Sequence, residues 1–138
     1  MPRTVRFLLM LLLATAPFTV TACSSDPAAT SSETAAQVQV VDAAEARSLI
    51  DDGAGVIDVR TPEEFATGHL RGATNIDVQA ADFHERVGDL DKDASYVLYC
   101  RSGSRAGAAA DMMLDMGFTD VVNAGGYDTL AAAGLPSE

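Results

Sequence analysis

The stretch SYVLYCRSGSR, residues 95–105, decides the fold of this 138-residue chain. Its first five residues, 95–99, are rich in β-branched and aromatic side chains, which favour a strand. Cys100 follows at once, and a glycine-bearing loop comes next. An Ala- and Met-rich segment over about 106–116 then predicts a helix. Strand, loop and helix in this order place a cysteine at the carboxyl end of a strand.

The residues of this loop are typical of an anion-binding site. It consists of Cys100, Arg101, Ser102, Gly103, Ser104 and Arg105. Backbone N–H groups of a tight loop point at one spot, and the positive end of the following helix dipole points there as well. The two arginines add full charge, and such surroundings lower the pKa of a cysteine thiol. We therefore expect Cys100 to be a thiolate nucleophile rather than a buried structural cysteine.

Strand-like and helix-like segments alternate on both sides of this loop. Short apolar runs at 38–41, 56–59, 72–76, 95–99 and 120–123 predict strands. Five helices are predicted: one after Asp42 up to about residue 52, one that starts at Pro62, and three more over 79–87, over 106–116 and just before 134–136. A turn is predicted at Gly125-Gly126. This alternation predicts an α/β fold, a small parallel sheet of about four or five strands with helices on both faces. Ligands of such sheets bind at the carboxyl edge, where Asp58 and Arg60 end a strand.

Several motifs resemble the rhodanese-like family. They are DVRTPEEF at 58–65, GHLRGA at 68–73 and CRSGSR at 100–105, and the likeness continues through Gly125-Gly126 to 132–136. Because separate motifs agree in order and spacing, residues 38–138 are identified as a rhodanese-like domain. Members of this family often carry a Trp four residues after the second glycine. This chain has Leu130 there and contains no Trp, and we expect Leu130 to be a packing residue.

The resemblance implies a sulfurtransferase of the thiosulfate type. Cys100 takes a sulfane sulfur from a donor such as thiosulfate, becomes a persulfide, and passes the sulfur to cyanide or a thiol. Arg101 and Arg105 are expected to hold the anionic donor, while the loop amides stabilise the thiolate. Asp58 and Arg60 are expected to support the loop through a buried link. The resemblance implies no metal and no organic cofactor.

Two other functions fit the same residues. Tyrosine phosphatases and arsenate reductases also use a cradle of Cys, loop and Arg, but their signature places five residues between Cys and Arg, whereas four separate Cys100 from Arg105. A binding module or persulfide-relay protein is the other alternative. Both a relay and an enzyme need a reactive Cys100, so donor and acceptor assays separate them.

Residues 1–22 predict a signal peptide of the lipoprotein type. Arg3 and Arg6 precede an apolar run over 7–18, which is too short to span a bilayer, and small residues follow. The sequence VTAC at 20–23 resembles a bacterial lipobox, which makes Cys23 the lipidated first residue of the mature protein. Residues 23–37 then form a lipidated, flexible tether rich in Ser, Thr and Ala. An ordinary signal peptide is the alternative.

Charge and location limit the partners. Beyond residue 22 the chain has seven basic and twenty acidic residues, so nucleic acid is an unfavourable partner. The expected partners are a small anionic sulfur donor, a thiol or cyanide acceptor, and the membrane through Cys23. The expected location is the outer face of the bacterial cell membrane or the periplasmic side of the envelope. No protein partner or oligomeric state follows from the sequence.

Overall fold

The structure is a computed structural model that describes residues 37–138. The predictions for the signal peptide, for Cys23 and for the tether up to residue 36 fall outside the described residues, and they remain predictions. In the part of the chain that is described, no helix has the length and apolar character needed to cross a bilayer.

Strands and helices alternate along residues 37–138. The strands are β1 (Gln39–Val40), β2 (Gly55–Asp58), β3 (Thr74–Asn75), β4 (Ser95–Cys100) and β5 (Asp120–Gly126). The helices are α1 (Ala43–Asp51), α2 (Pro62–Ala66), α3 (Phe83–Gly88), α4 (Ser104–Asp115) and α5 (Tyr127–Ala132). The strands form one parallel sheet in the order β1-β5-β4-β2-β3. The predicted fold class is confirmed.

The sheet has an apolar core on each face, and the central strand β4 contributes to both. Leu98 and Cys100 pack with residues of α3 and α4. Val97 and Tyr99 pack on the opposite face with residues of α1 and α5. Successive side chains of a strand alternate between its two faces, so a strand covered on both sides is apolar throughout. This explains why β4 is the most continuous apolar strand of the sequence.

The helix boundaries follow local chemistry. The Asp42 carboxylate accepts hydrogen bonds from the backbone N–H groups of Ala44 and Glu45, both at 2.9 Å, which starts α1 as predicted. Thr61 caps α2, and Pro62 occupies its first turn, where the missing N–H costs nothing. Leu130 is fully buried among the residues of α1 and α5, which confirms its expected packing role.

Three predicted boundaries are wrong. Helix α3 begins at Phe83 rather than residue 79, because the Asp77 carboxylate accepts a hydrogen bond from the Gln79 N–H and starts a turn instead. Helix α4 begins at Ser104, two residues before its predicted start at about residue 106. Gly125 and Gly126 do not form a separate turn but end strand β5.

The parallel pairing brings the predicted site residues to one edge of the sheet. In the register of β2 and β4, Asp58 lies opposite Tyr99, and the Val59 N–H donates to the Tyr99 carbonyl at 3.0 Å. The carboxyl ends of these two strands carry Arg60 and Cys100, respectively. The loop that follows Cys100 therefore leaves the sheet beside the start of α2.

Candidate active site

Cys100 is the last residue of β4, and its side chain is fully buried. The backbone N–H of Gly103 donates to its Sγ atom at 3.0 Å. Gly103 has a φ of +97°, and a Cβ placed there lies 3.2 Å from the Cα of Gly125. The loop curls back onto the sulfur only because glycine accepts this backbone conformation without strain.

The surroundings of the sulfur favour a thiolate. Burial raises the pKa of the Cys100 thiol, but backbone N–H groups of the loop and of the first turn of α4 outweigh it and hold that pKa below its ordinary value. These groups belong to Ala106, Ser102, Gly103 and Arg105. Helix α4 begins without a side-chain cap, so its positive end acts on the sulfur. The geometry thus supports the predicted activated nucleophile.

Strand β5 supports the loop from behind. The buried Asn123 side chain donates to the Gly103 carbonyl at 3.0 Å and accepts from the Gly125 N–H at 2.9 Å. Beside it, a Cβ on Gly126 comes within 2.5 Å of the Arg101 carbonyl oxygen. The β4–β5 register shifts between Leu98 and Cys100, which accommodates this close approach. Asn123 therefore holds the backbone of the loop in place, and the absence of a side chain at Gly126 leaves room for the loop to approach.

The other loop residues fall into two environments. Arg101, Ser102 and Ser104 are exposed at the surface. Arg105 is partly buried and makes a bidentate ion pair with Glu64 of α2, with distances of 2.7 and 2.8 Å from Nη1 and Nη2 to the carboxylate oxygens. The hydrogen bonds and charge of Glu64 raise the pKa of Arg105, and the Cys100 thiolate adds to this effect. In return, Arg105 lowers the pKa of Glu64 to about 2.

Asp58 and Arg60 form a buried ion pair at the end of β2. Both carboxylate oxygens of Asp58 accept from Arg60, the shortest contact being 2.6 Å from Nη2, and Arg60 also donates to the Gly68 carbonyl at 2.7 Å. The guanidinium lies over the Tyr127 ring, 4.5 Å from its centroid. Burial opposes the charged form, but Asp58 outweighs it and raises the pKa of Arg60. The pair ties β2 to the segment that follows α2.

The sequence does not predict the contacts of two residues that support the loop, Glu64 and Asn123. Glu64 lies in the quoted motif 58–65, yet its partner Arg105 is 41 residues away. Asn123 interrupts the apolar run 121–124, and a polar residue in a buried strand signals a required hydrogen-bond partner. Neither partner could be deduced without the parallel pairing of β2, β4 and β5.

The other notable features of the described residues lie elsewhere. A cavity of about 230 Å³ is lined by α1, by Leu70 and Arg71 and by Leu135 and Pro136, with no residue of the loop among its walls. The ring of His69 stacks on Phe65 at 3.7 Å rather than contacting Cys100. Among residues 37–138, no cluster of His, Cys, Asp and Glu is arranged to hold a metal ion.

The sequence and this geometry match one known family. The family model of the rhodanese-like domain matches residues 42–133. The chain belongs to the rhodanese-like family. The thiosulfate sulfurtransferase GlpE of Pseudomonas aeruginosa (strain LESB58) is 38% identical over 86 residues, 61% of this chain and 76% of the relative. The thiosulfate sulfurtransferase PspE of Escherichia coli (strain K12) is 38% identical over 77 residues, 54% of this chain and 72% of the relative.

Solved structures agree with this assignment. A rhodanese-related protein from Thermoplasma volcanium superposes with a TM-score of 0.64 at 27% identity, over 72% of this chain and 97% of its own. A rhodanese with anions from E. coli superposes with a TM-score of 0.54 at 31% identity, over 62% of this chain and 98% of its own. Family, relatives and fold together support a sulfurtransferase of the rhodanese type.

Proposed function

We propose that this rhodanese-like protein moves a sulfane sulfur from a thiosulfate-type donor, through a persulfide on Cys100, to cyanide or a thiol. The observation that carries the proposal is the thiol at the positive end of α4, with the Gly103 N–H 3.0 Å from Sγ. The lowered pKa of Cys100 favours the thiolate, which is the form that attacks a sulfur donor. The 38% identity to two thiosulfate sulfurtransferases adds support.

In the first half-reaction, the Cys100 thiolate attacks the outer sulfur of thiosulfate. The S–S bond of the donor breaks, sulfite leaves with the bonding electron pair, and Cys100 becomes a persulfide. Backbone N–H groups of Ser102 and Gly103 stabilise negative charge on the sulfur before and after the transfer. Arg101, exposed next to Cys100, offers its charge to the sulfonate end of the donor. The similar E. coli rhodanese was solved with anions, which fits an anionic donor.

In the second half-reaction, cyanide or a thiolate attacks the outer sulfur of the persulfide. The new bond forms at this sulfur, the persulfide S–S bond breaks, and Cys100 leaves as a thiolate with the electron pair. With cyanide the product is thiocyanate. The cycle restores the starting state of Cys100, so it needs no external oxidant or reductant.

Thiocyanate formation tests the proposal directly. The full chain, purified in mild detergent, is supplied with thiosulfate and cyanide, beside the variants Cys100→Ser and Cys23→Ser. We expect parallel lines in double-reciprocal plots, the sign of a ping-pong mechanism, for the parent and for Cys23→Ser, and no turnover for Cys100→Ser. Full activity of Cys100→Ser contradicts the proposal. So does rapid hydrolysis of a phosphotyrosine mimic in place of sulfur transfer.

We further propose that the protein is exported and held at the membrane by a lipid on Cys23. The support is the sequence alone: basic residues, a short apolar run and the lipobox-like VTAC at 20–23. A tether of residues 24–37 then separates the enzyme from the membrane surface, so the acidic domain is kept away from anionic headgroups. The proposed location is the outer face of the cell membrane or the periplasmic side of the envelope.

Detergent partition tests the anchor. The parent and Cys100→Ser are expected in the detergent-rich phase, whereas Cys23→Ser is expected in the aqueous phase. Unchanged partition of Cys23→Ser rejects the lipid anchor and leaves the sulfurtransferase activity unaffected.

A further inference from the structure

The charge of Arg105 is already matched inside the protein. Both Nη atoms contact the Glu64 carboxylate, at 2.7 and 2.8 Å, in the bidentate geometry that gives the strongest Arg–carboxylate contacts. Because the pKa of Glu64 is lowered to about 2, this carboxylate is ionised at every pH at which the enzyme is expected to work. Arg105 therefore contributes a neutral pair to the site rather than a free positive charge.

The other two arginines near the loop differ in whether a carboxylate matches their charge. Arg60 is matched by Asp58 inside the protein. Among the residues that the structure describes, Arg101 forms no salt bridge, and it is the one loop cation left for an incoming anion. The thiolate of Cys100 adds one negative charge. A domain with seven basic and eighteen acidic residues between 37 and 138 surrounds this nearly neutral site.

We propose that Glu64 is a specificity-determining residue, which positions and neutralises Arg105 and thereby favours singly charged sulfur donors over the dianion thiosulfate. The inference rests on the proposed function and extends it to the class of donor. Each further negative charge on the donor adds to its repulsion by the acidic domain, and besides the loop N–H groups and the positive end of α4 it is the charge of Arg101 that offsets this repulsion. Thiosulfonates, in which an organic group replaces one oxygen of thiosulfate, are the singly charged class with the same reacting sulfur.

The position of the pair fits this role. The side chains of Arg105 and Glu64 are 25% and 31% exposed, whereas Cys100 has no solvent contact. A donor that enters from solvent with its outer sulfur toward Sγ keeps its charged end group in the outer layer, where the pair lies. Charge at this depth acts on the end group of the donor, and the guanidinium of Arg105 also lies close enough to the Cys100 thiolate for that thiolate to raise the pKa of Arg105.

The chemistry is the same for both donors. The Cys100 thiolate attacks the outer sulfur of a thiosulfonate, the S–S bond breaks, and a sulfinate leaves with the electron pair in place of sulfite. Methanethiosulfonate carries one negative charge and thiosulfate carries two, while both leave the same persulfide on Cys100. The two donors therefore form a matched pair that differs in the charge and substituent of the leaving group.

The test compares Glu64→Gln with Glu63→Gln. Glu63 is the adjacent, exposed residue and forms no salt bridge within residues 37–138, so both variants remove one negative charge but only Glu64→Gln frees Arg105. Gln at position 64 keeps an oxygen for the helix cap with Thr61. For the full chain in detergent, kcat/KM for the donor is measured with cyanide as the common acceptor. In a ping-pong mechanism this quantity reports the first half-reaction alone.

We expect the ratio of kcat/KM for thiosulfate to that for methanethiosulfonate to rise roughly 10-fold in Glu64→Gln and less than 2-fold in Glu63→Gln, because one unit of charge is released close to the donor. The ratio is taken on one protein sample, so a change in the folded fraction cancels. Arg105→Gln leaves Glu64 unmatched and is expected to lower the ratio below the parent value. The double variant Glu64→Gln/Arg105→Gln is expected to return it toward the parent.

Equal ratios in Glu64→Gln and Glu63→Gln overturn the role of Glu64, even if both donors load Cys100 normally. A fall of the ratio in Glu64→Gln also overturns this role. Glu64 would then serve to position Arg105 for binding the dianion rather than to neutralise its charge. If neither donor loads Cys100 in the parent chain, the proposed function fails together with this inference.

Discussion

The two arginine–carboxylate pairs beside the loop have the same chemistry in different surroundings. Asp58 and Arg60 are 0% and 6% exposed, and the guanidinium also contacts the Gly68 carbonyl and the Tyr127 ring. Glu64 and Arg105 are 31% and 25% exposed and contact each other, and Glu64 also accepts from the Thr61 N–H at 3.2 Å. The first pair lies inside the packed domain, and the second lies partly exposed to solvent beside the loop.

Because their surroundings differ, we expect the buried pair to stabilise the fold and the exposed pair to affect the choice of donor. Removing one partner of a buried pair leaves a charge without compensation, which is strongly destabilising. A partly exposed pair is screened by water and contributes little to folding. Its charges remain within reach of a ligand, however. We infer that Asp58–Arg60 maintains the edge of the sheet, while Glu64–Arg105 can vary without loss of the fold and tunes the site.

The largest expected effect is on the buried carboxylate. Asp58→Asn removes the charge that matches Arg60, and we expect a loss of about 3 kcal/mol or more in the free energy of unfolding. The matched change Glu64→Gln is expected to cost about 1 kcal/mol or less. Urea unfolding at pH 7 measures both variants against the parent. Equal losses would remove the distinction between the two pairs.

A smaller effect is expected when the arginine is changed to lysine. Arg60 uses Nε and Nη2 together on Asp58 and stacks on Tyr127, and lysine reproduces neither contact. We expect Arg60→Lys to lose about 2 kcal/mol and Arg105→Lys to lose about half a kcal/mol. Thermal unfolding of both variants checks the order. A more damaging Arg105→Lys would show that the exposed pair also supports the fold.

The smallest effect is a dependence on pH. The pKa of Glu64 falls from 4.5 to about 2 on folding, so its pair stabilises the folded state fully above pH 4.5, and this contribution is lost as the pH falls through about 2. Because the pair is partly exposed, we expect the parent to exceed Glu64→Gln by about 1 kcal/mol or less at pH 6. Unfolding free energies from pH 6 to pH 2 should show this difference shrinking. A constant difference would indicate that Glu64 is not coupled to Arg105.

Much of the fold and the position of Cys100 at the end of a strand could be predicted because their signals are local. The strand over 95–99, the loop after Cys100 and the helix beyond it are contiguous in sequence, and each has its own propensity. The alternation of strands and helices then implies parallel pairing. The predicted start of α3 is wrong because the turn at Asp77 competes with helix formation at residues 79–82.

The surroundings of the loop could not be predicted, because they depend on contacts between distant segments. Glu64 lies 41 residues from Arg105, and Asn123 lies 20 residues from Gly103. The need for glycine at 126 is visible only from the 2.5 Å distance between its added Cβ and the Arg101 oxygen. Parallel strands bring such segments together, and the sequence does not name the partner, even where a polar residue such as Asn123 marks one end of the contact.

The most direct test of the account is the mass of the intact protein after thiosulfate is added without an acceptor. We predict a gain of one sulfur atom that maps to Cys100, disappears when cyanide is added, and is absent from Cys100→Ser. The same gain in Cys100→Ser, or no gain on a demonstrably reduced Cys100, would contradict the claim that this thiol carries the transferred sulfur.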